Sequence, residues 1–117
     1  MFPKKQKKQH DRGKQAPSIL QAGKYCYLTY YLTGVKYSIG LEQHHIYMGS
    51  RNRAVSDENG FWVWLRSEYH RTTNTAVHGR DGAFLDLLLK QECQRAYEAR
   101  GGTRDEFIRL IGRNYLP

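Results

Sequence analysis

Cysteine is almost missing: Cys26 and Cys93 are the only two in 117 residues. One possible disulfide is too thin a framework for a small secreted domain, so the expectation is reduced thiols and a cytoplasmic setting. Long apolar runs are also missing. No stretch approaches membrane-spanning length, and no apolar segment follows the basic N-terminus as it would in a secretory signal. Acidic side chains are outnumbered, eleven against nineteen Lys and Arg, for a formal net charge of +8. Such a field favours polyanions, nucleic acid before acidic membrane, although a merely soluble basic protein has the same balance. Aliphatic residues are sparse as well, with a hydrophobic fraction of 39% and a mean hydropathy of -0.78. The core of a single domain this small must lean on large residues, and nine Tyr, four Phe and two Trp supply them.

Residues 1–18, MFPKKQKKQHDRGKQAPS, read as a basic arm, with six Lys or Arg and one Asp in residues 1–14. Too few apolar residues are present there to offset ordering entropy, so the arm is expected to be flexible when free. Lys4, Lys5, Lys7 and Lys8 are candidates for tracking a nucleic-acid backbone; a solubility tail is the alternative. Residues 19–117 read as one domain. The tyrosine-dense KYCYLTYYLTG (24–34) is expected to be a strand, VKYSIGLEQHHIY (35–47) a second strand, and MGSRNRAVSDENG (48–60) a loop. FWVWL (61–65) reads as a short aromatic strand. A short helix follows with Ser67 as N-cap, then a loop over residues 74–82. The C-terminal extension, about 81–112, reads as helical. Phe84, Leu85, Leu88, Leu89, Cys93 and Ala96 share one face of its first helix, with Asp81 as a cap candidate. Thr103 and Glu106 form a capping box for its last helix, with Phe107, Ile108 and Ile111 inward and Gly112 as the stop. The expected class is α+β, a small antiparallel hairpin or sheet followed by C-terminal helices. Cys93, on an apolar face, reads as a packing residue.

Four of the five histidines fall between positions 44 and 78. Side chains alternate along a strand, so His44 and His45 cannot face the same core. At a strand end one can turn to a metal and the other to a substrate beside it. Neutral imidazole is the commonest metal ligand, and its ordinary pKa suits a general base near pH 7. A strand pair, a loop, a second strand and a helix-borne His70 would gather imidazoles over one hairpin-plus-helix unit.

The spacing of Cys26-Tyr-Leu-Thr29, Leu41-Glu-Gln-His44-His45-Ile46, Phe61-Trp-Val-Trp-Leu65, Arg66-Ser-Glu-Tyr69-His70 and Val77-His78-Gly79 resembles that of HNH endonucleases of the ββα-metal (His-Me finger) class. Within that class the chain more closely resembles small phage-encoded members. The resemblance implies an HNH-like core and hydrolysis of DNA phosphodiester bonds with one divalent metal ion, Mg, Mn, Ni or Zn. By it, His45 would be the catalytic base, and His44 and His70 metal ligands. His78 would be a third ligand or a phosphate contact. Arg51 and Arg53 could clamp the phosphate. The implied partner is DNA, with RNA second; the lack of a long apolar run adds the expectation of no membrane partner. Two departures from the pattern stand out. Thr29, Arg66 and Tyr69 occupy three positions where the family carries cysteines, so no structural zinc is expected. Phe61 stands where many members carry Asn, and Asn52 and Asn59 are out of register.

These departures support an alternative, an inactive HNH-like phage protein that binds nucleic acid or inhibits a host nuclease or defence complex. There, the arm with Arg51, Arg53, Arg66 and Arg71 would make the contacts. A small assembly protein, with Tyr37, Tyr47 and Tyr69 at an interface or in the core, is a third reading.

Overall fold

The computed structural model describes residues 15–117. Among the described residues, helices surround a small two-stranded antiparallel sheet. Strand β1 (Leu41–His45) pairs with β2 (Trp62–Arg66) so that Leu41 faces Arg66, His44 faces Val63 and His45 faces Trp62. Residues opposite one another point the same way, and successive residues alternate. One face therefore carries Glu42, His44, Val63 and Leu65, and the other Gln43, His45, Trp62 and Trp64. His44, Val63 and Leu65 are buried, whereas Gln43, His45, Trp62 and Trp64 are only half-buried.

The dry face rests on the core. Ile46, Tyr47 and Phe61 at the strand ends meet Leu85, Leu89 and Cys93 of the long C-terminal helix Ala83–Ala99 and Phe107 and Ile111 of the last helix, Arg104–Ile111. Tyr47 lies edge-on to Phe61 at 5.6 Å and to Phe107 at 5.5 Å. Its hydroxyl donates to the Lys90 carbonyl at 2.7 Å, so the ring is buried without an orphaned polar atom. Burial pushes the neighbouring Cys93 thiol up to about 12, which fits a packing role. The Thr103–Glu106 capping box and the Gly112 stop both form.

Three expected elements are different. KYCYLTYYLTG is not a strand: Tyr27–Thr33 is helix α1, begun by Cys26, whose sulfur accepts from the Thr29 amide, and ended by Gly34 at φ 79°. Its buried Leu28 and Thr29 anchor it to the core, so packing overrides the β preference of tyrosine. The second strand is confined to its end, Leu41–His45. Residues 48–60 are not a loop but hold helix α2 (Ser50–Asn59), which ends on Gly60 at φ 76°. This helix has almost no apolar stripe; Val55 is half-buried, and Ser56 is its one buried residue. Its hold is polar: the Asn52 side chain donates to the Ile111 carbonyl and Arg51 to the Arg109 carbonyl.

Smaller corrections follow. Ser67 opens helix α3 (Ser67–His70) as its first residue, with Arg66 as the N-cap. Gly82, not Asp81, precedes the long helix, α4. On α4, Leu85, Leu89 and Cys93 face inward, but Phe84 is 74% exposed. The last helix is α5. The end of the arm, residues 15–18, is tied down: the Ala16 amide donates to the Asp57 carbonyl at 2.7 Å and Trp62 Nε1 to the Ala16 carbonyl at 2.8 Å. Lys4, Lys5, Lys7 and Lys8 lie outside the described residues.

Candidate metal centre

Alternation in β1 sends His44 to the dry face. There its ring stands edge-on to His70 at 5.1 Å and to His78 at 5.0 Å, and His70 and His78 are 4.8 Å apart. His70 arrives because the chain passes from β2 straight into α3. His78 arrives because the following loop doubles back, the Val77 amide donating to the Tyr69 carbonyl and the His78 amide to the His70 carbonyl. Glycine permits this close return. A Cβ on Gly82 would sit 1.9 Å from the Ala76 carbonyl oxygen, and one on Gly79 2.3 Å from that of Thr73.

One ligand atom from each of His44, His70 and His78 lies within 4.8 Å of the other two, and these three residues could hold a metal ion. Both ring nitrogens of His44 are buried without a hydrogen-bond partner. Orphaned polar atoms in a buried side chain are costly, and a cation among the three rings would satisfy one of them. Burial, with the charges of His70 and His78, lowers the His44 pKa to about 3, so its imidazole is neutral as a ligand must be.

Glu42, two residues before His44 on the same face, supports the group. Its carboxylate accepts from His70 Nδ1 at 2.8 Å and from Arg71 through both oxygens, at 3.1 and 2.7 Å. The Arg71 bonds first, then that from His70, hold the Glu42 carboxyl down at about 2. An ionised carboxylate only accepts, so Nδ1 of His70 carries the proton and Nε2 keeps its lone pair for a metal.

His45 faces the other way. Its Nε2 lies 2.8 Å from Asp57 Oδ1, and its side chain is 25% exposed. Burial pushes the Asp57 carboxyl up, but the hydrogen bonds from Gln15 and His45 outweigh it and keep it below the usual range. Gln15 also exchanges amide bonds with Gln43, closing a polar network beside the imidazole. The Asp57 carboxylate accepts the hydrogen bond of Nε2–H, so Nδ1 of His45 holds the free lone pair.

Both groups line one cleft of about 250 Å³, bounded by His44, His45, His70, His78, Gln43 and Arg53 among others. The sequence candidates separate here. Arg53 reaches the cleft. Arg51 is engaged with Asn52 and the Arg109 carbonyl, Arg66 with Glu68 and the face of Tyr37, and Arg71 with Glu42. Neither Asn52 nor Asn59 lines it; Asn59 bonds the Val55 carbonyl of its own helix. Glu42 and Asp57 were not singled out in the sequence. Strand alternation could have found Glu42, but Asp57 needed helix α2, which no apolar pattern announced.

Comparison with protein-family models, curated proteins and solved structures finds no match. Among the described residues, no helix is long and apolar enough to cross a membrane.

Proposed function

We propose that the protein is a metal-dependent phosphodiesterase of the HNH endonuclease type that cleaves DNA. The observation that carries this reading is the shared cleft. A carboxylate-oriented His45, a cluster of three imidazoles and the Arg53 guanidinium open into one space. Acyl transfer would ask for a nucleophile beside the base, and Ser, Thr and Cys do not line this cleft.

His44, His70 and His78 would hold a divalent ion, which would neutralise a bound phosphate and stabilise the leaving oxygen. Glu42 keeps His70 in the tautomer that leaves Nε2 free. Arg53 supplies positive charge for the phosphate. His45 Nδ1 accepts a proton from a water as its oxygen attacks phosphorus; the bond from phosphorus to the 3'-oxygen breaks, and the departing oxygen is protonated from solvent. Asp57 stabilises the imidazolium that this transfer creates and fixes its orientation.

The test is cleavage of supercoiled plasmid and of single-stranded DNA with Mg, Mn, Ni or Zn, against an EDTA control, by wild type and His45→Ala. Cleavage that needs metal and disappears in the variant is the expected result. No cleavage with any metal, together with tight nucleic-acid or protein binding by both forms, would establish the inactive binding module instead.

A further inference from the structure

We propose a nucleobase-stacking groove on α1 that receives single-stranded nucleic acid, connected to the catalytic cleft by the tryptophans of β2. This deepens the nuclease reading and rests on it for the role of His45. The groove has about 530 Å³ and is lined by Leu20, Tyr25, Tyr27, Tyr30, Tyr31 and Gly34. Tyr30 and Tyr31 are 42% and 48% exposed. Tyr27 packs against the core and Tyr25 is half-buried, but Tyr30 and Tyr31 leave ring surface in water, and such rings are favourable stacking surfaces for any base.

The charge around the rings narrows the ligand. From Gln15 to Leu41 the sequence holds five tyrosines and two lysines and no acidic residue. Lys36 lies 5.3 Å from the Tyr25 ring and 5.6 Å from that of Tyr30, and Lys24 lies 4.5 Å over Trp64. From outside the segment, the carboxylate acting on Tyr27 is Glu92, which Arg95 neutralises at 2.9 Å. Rings flanked by ammonium groups suit a ligand with alternating bases and phosphates.

A chain of neighbouring side chains runs from the cleft towards the groove. Trp62 pairs across the sheet with His45, and Trp64 lies edge-on to Trp62 at 5.6 Å. Lys24 covers Trp64 and precedes Tyr25, whose ring is 5.3 Å from that of Tyr30. Trp62 and Trp64 are half-buried on the face of the sheet that carries His45. A strand whose phosphate sits at His45 can stack successive bases along this line. A duplex keeps its bases paired inside and cannot.

Binding of a fluorescent single-stranded DNA of about twenty nucleotides, and of its duplex, is measured with the full chain in EDTA at physiological salt. The single strand is expected to bind at least about tenfold more tightly than the duplex. Tyr30→Ser and Tyr31→Ser should each weaken it by between about fivefold and a hundredfold, while Tyr30→Phe keeps wild-type affinity because stacking needs only the ring. Unchanged melting temperatures show that the variants fold. As a second measurement, photocrosslinking the wild type to a strand bearing a photoreactive base should label Tyr25, Tyr30 or Tyr31. Equal or tighter binding of duplex, no loss in the serine variants, or crosslinks confined to the basic arm would overturn the groove; a protein captured there in competition with no strand would do the same. EDTA separates this from the metal centre, whose own readout is wild-type hydrolysis of bis(4-nitrophenyl) phosphate. Failure of that reaction with intact strand binding removes the nuclease and leaves the groove.

Discussion

His44 and His45 are neighbours in the chain and opposites in surroundings. His44 is buried against the core beside a half-buried His70 and an exposed His78, and neither of its nitrogens finds a protein partner. His45 stands half in water, with one nitrogen committed to Asp57. Each environment suits one task. A metal ligand needs a neutral ring fixed in place; a base needs an open lone pair, access to water and a counter-charge for the proton it gains. The strand period of two delivers both from adjacent positions. The carboxylates repeat the contrast: Glu42 holds His70 through Nδ1, and Asp57 holds His45 through Nε2.

The comparison can be broken from either side. The largest effect is expected from His44→Ala, which would remove one of the three proposed ligands. Metal affinity, read by calorimetry with Mn, Ni or Zn, should fall by more than about a hundredfold, exceeding the loss typical of an outer partner. Retention of metal would move the centre elsewhere. Next comes His45→Ala, with turnover down by about a hundredfold to ten-thousandfold and metal affinity unchanged. A parallel loss of metal would make His45 a ligand and erase the distinction between the faces. Glu42→Gln should weaken metal binding by about ten- to a hundredfold, since His70 loses the negative, acceptor-only partner that sets its tautomer and an amide can present an N–H instead. The smallest effect belongs to Asp57→Asn: turnover down by about tenfold, a shifted pH–rate profile, and KM and metal affinity unchanged. An unshifted profile would reduce Asp57 to a packing contact.

Local signals made much of the architecture legible. The Thr103–Glu106 box names its own helix start, the apolar spacing of Leu85, Leu89 and Cys93 names the long helix, and Phe61-Trp-Val-Trp-Leu65 names a strand to within a residue. The failures share one cause. Tyr27–Thr33 is rich in β-favouring residues yet is coiled by burial of Leu28 and its caps, and Ser50–Asn59 carries no apolar stripe because its hold is by polar bonds to α5. Preferences read over a few residues cannot register contacts made with partners about thirty to sixty positions away.

The same division runs through the site. The sequence by itself determined that two adjacent histidines would point to opposite sides of β1, because side-chain alternation is a property of the extended backbone alone. It also supplied the histidines, the glycines and the basic balance. Only the tertiary structure decided that His70 and His78 would close on His44 rather than on His45, because that choice rests on which face of the hairpin α3 and its returning loop cover. It also decided that Asp57, twelve residues from His45, would be its partner, because that bond depends on where the end of helix α2 comes to rest.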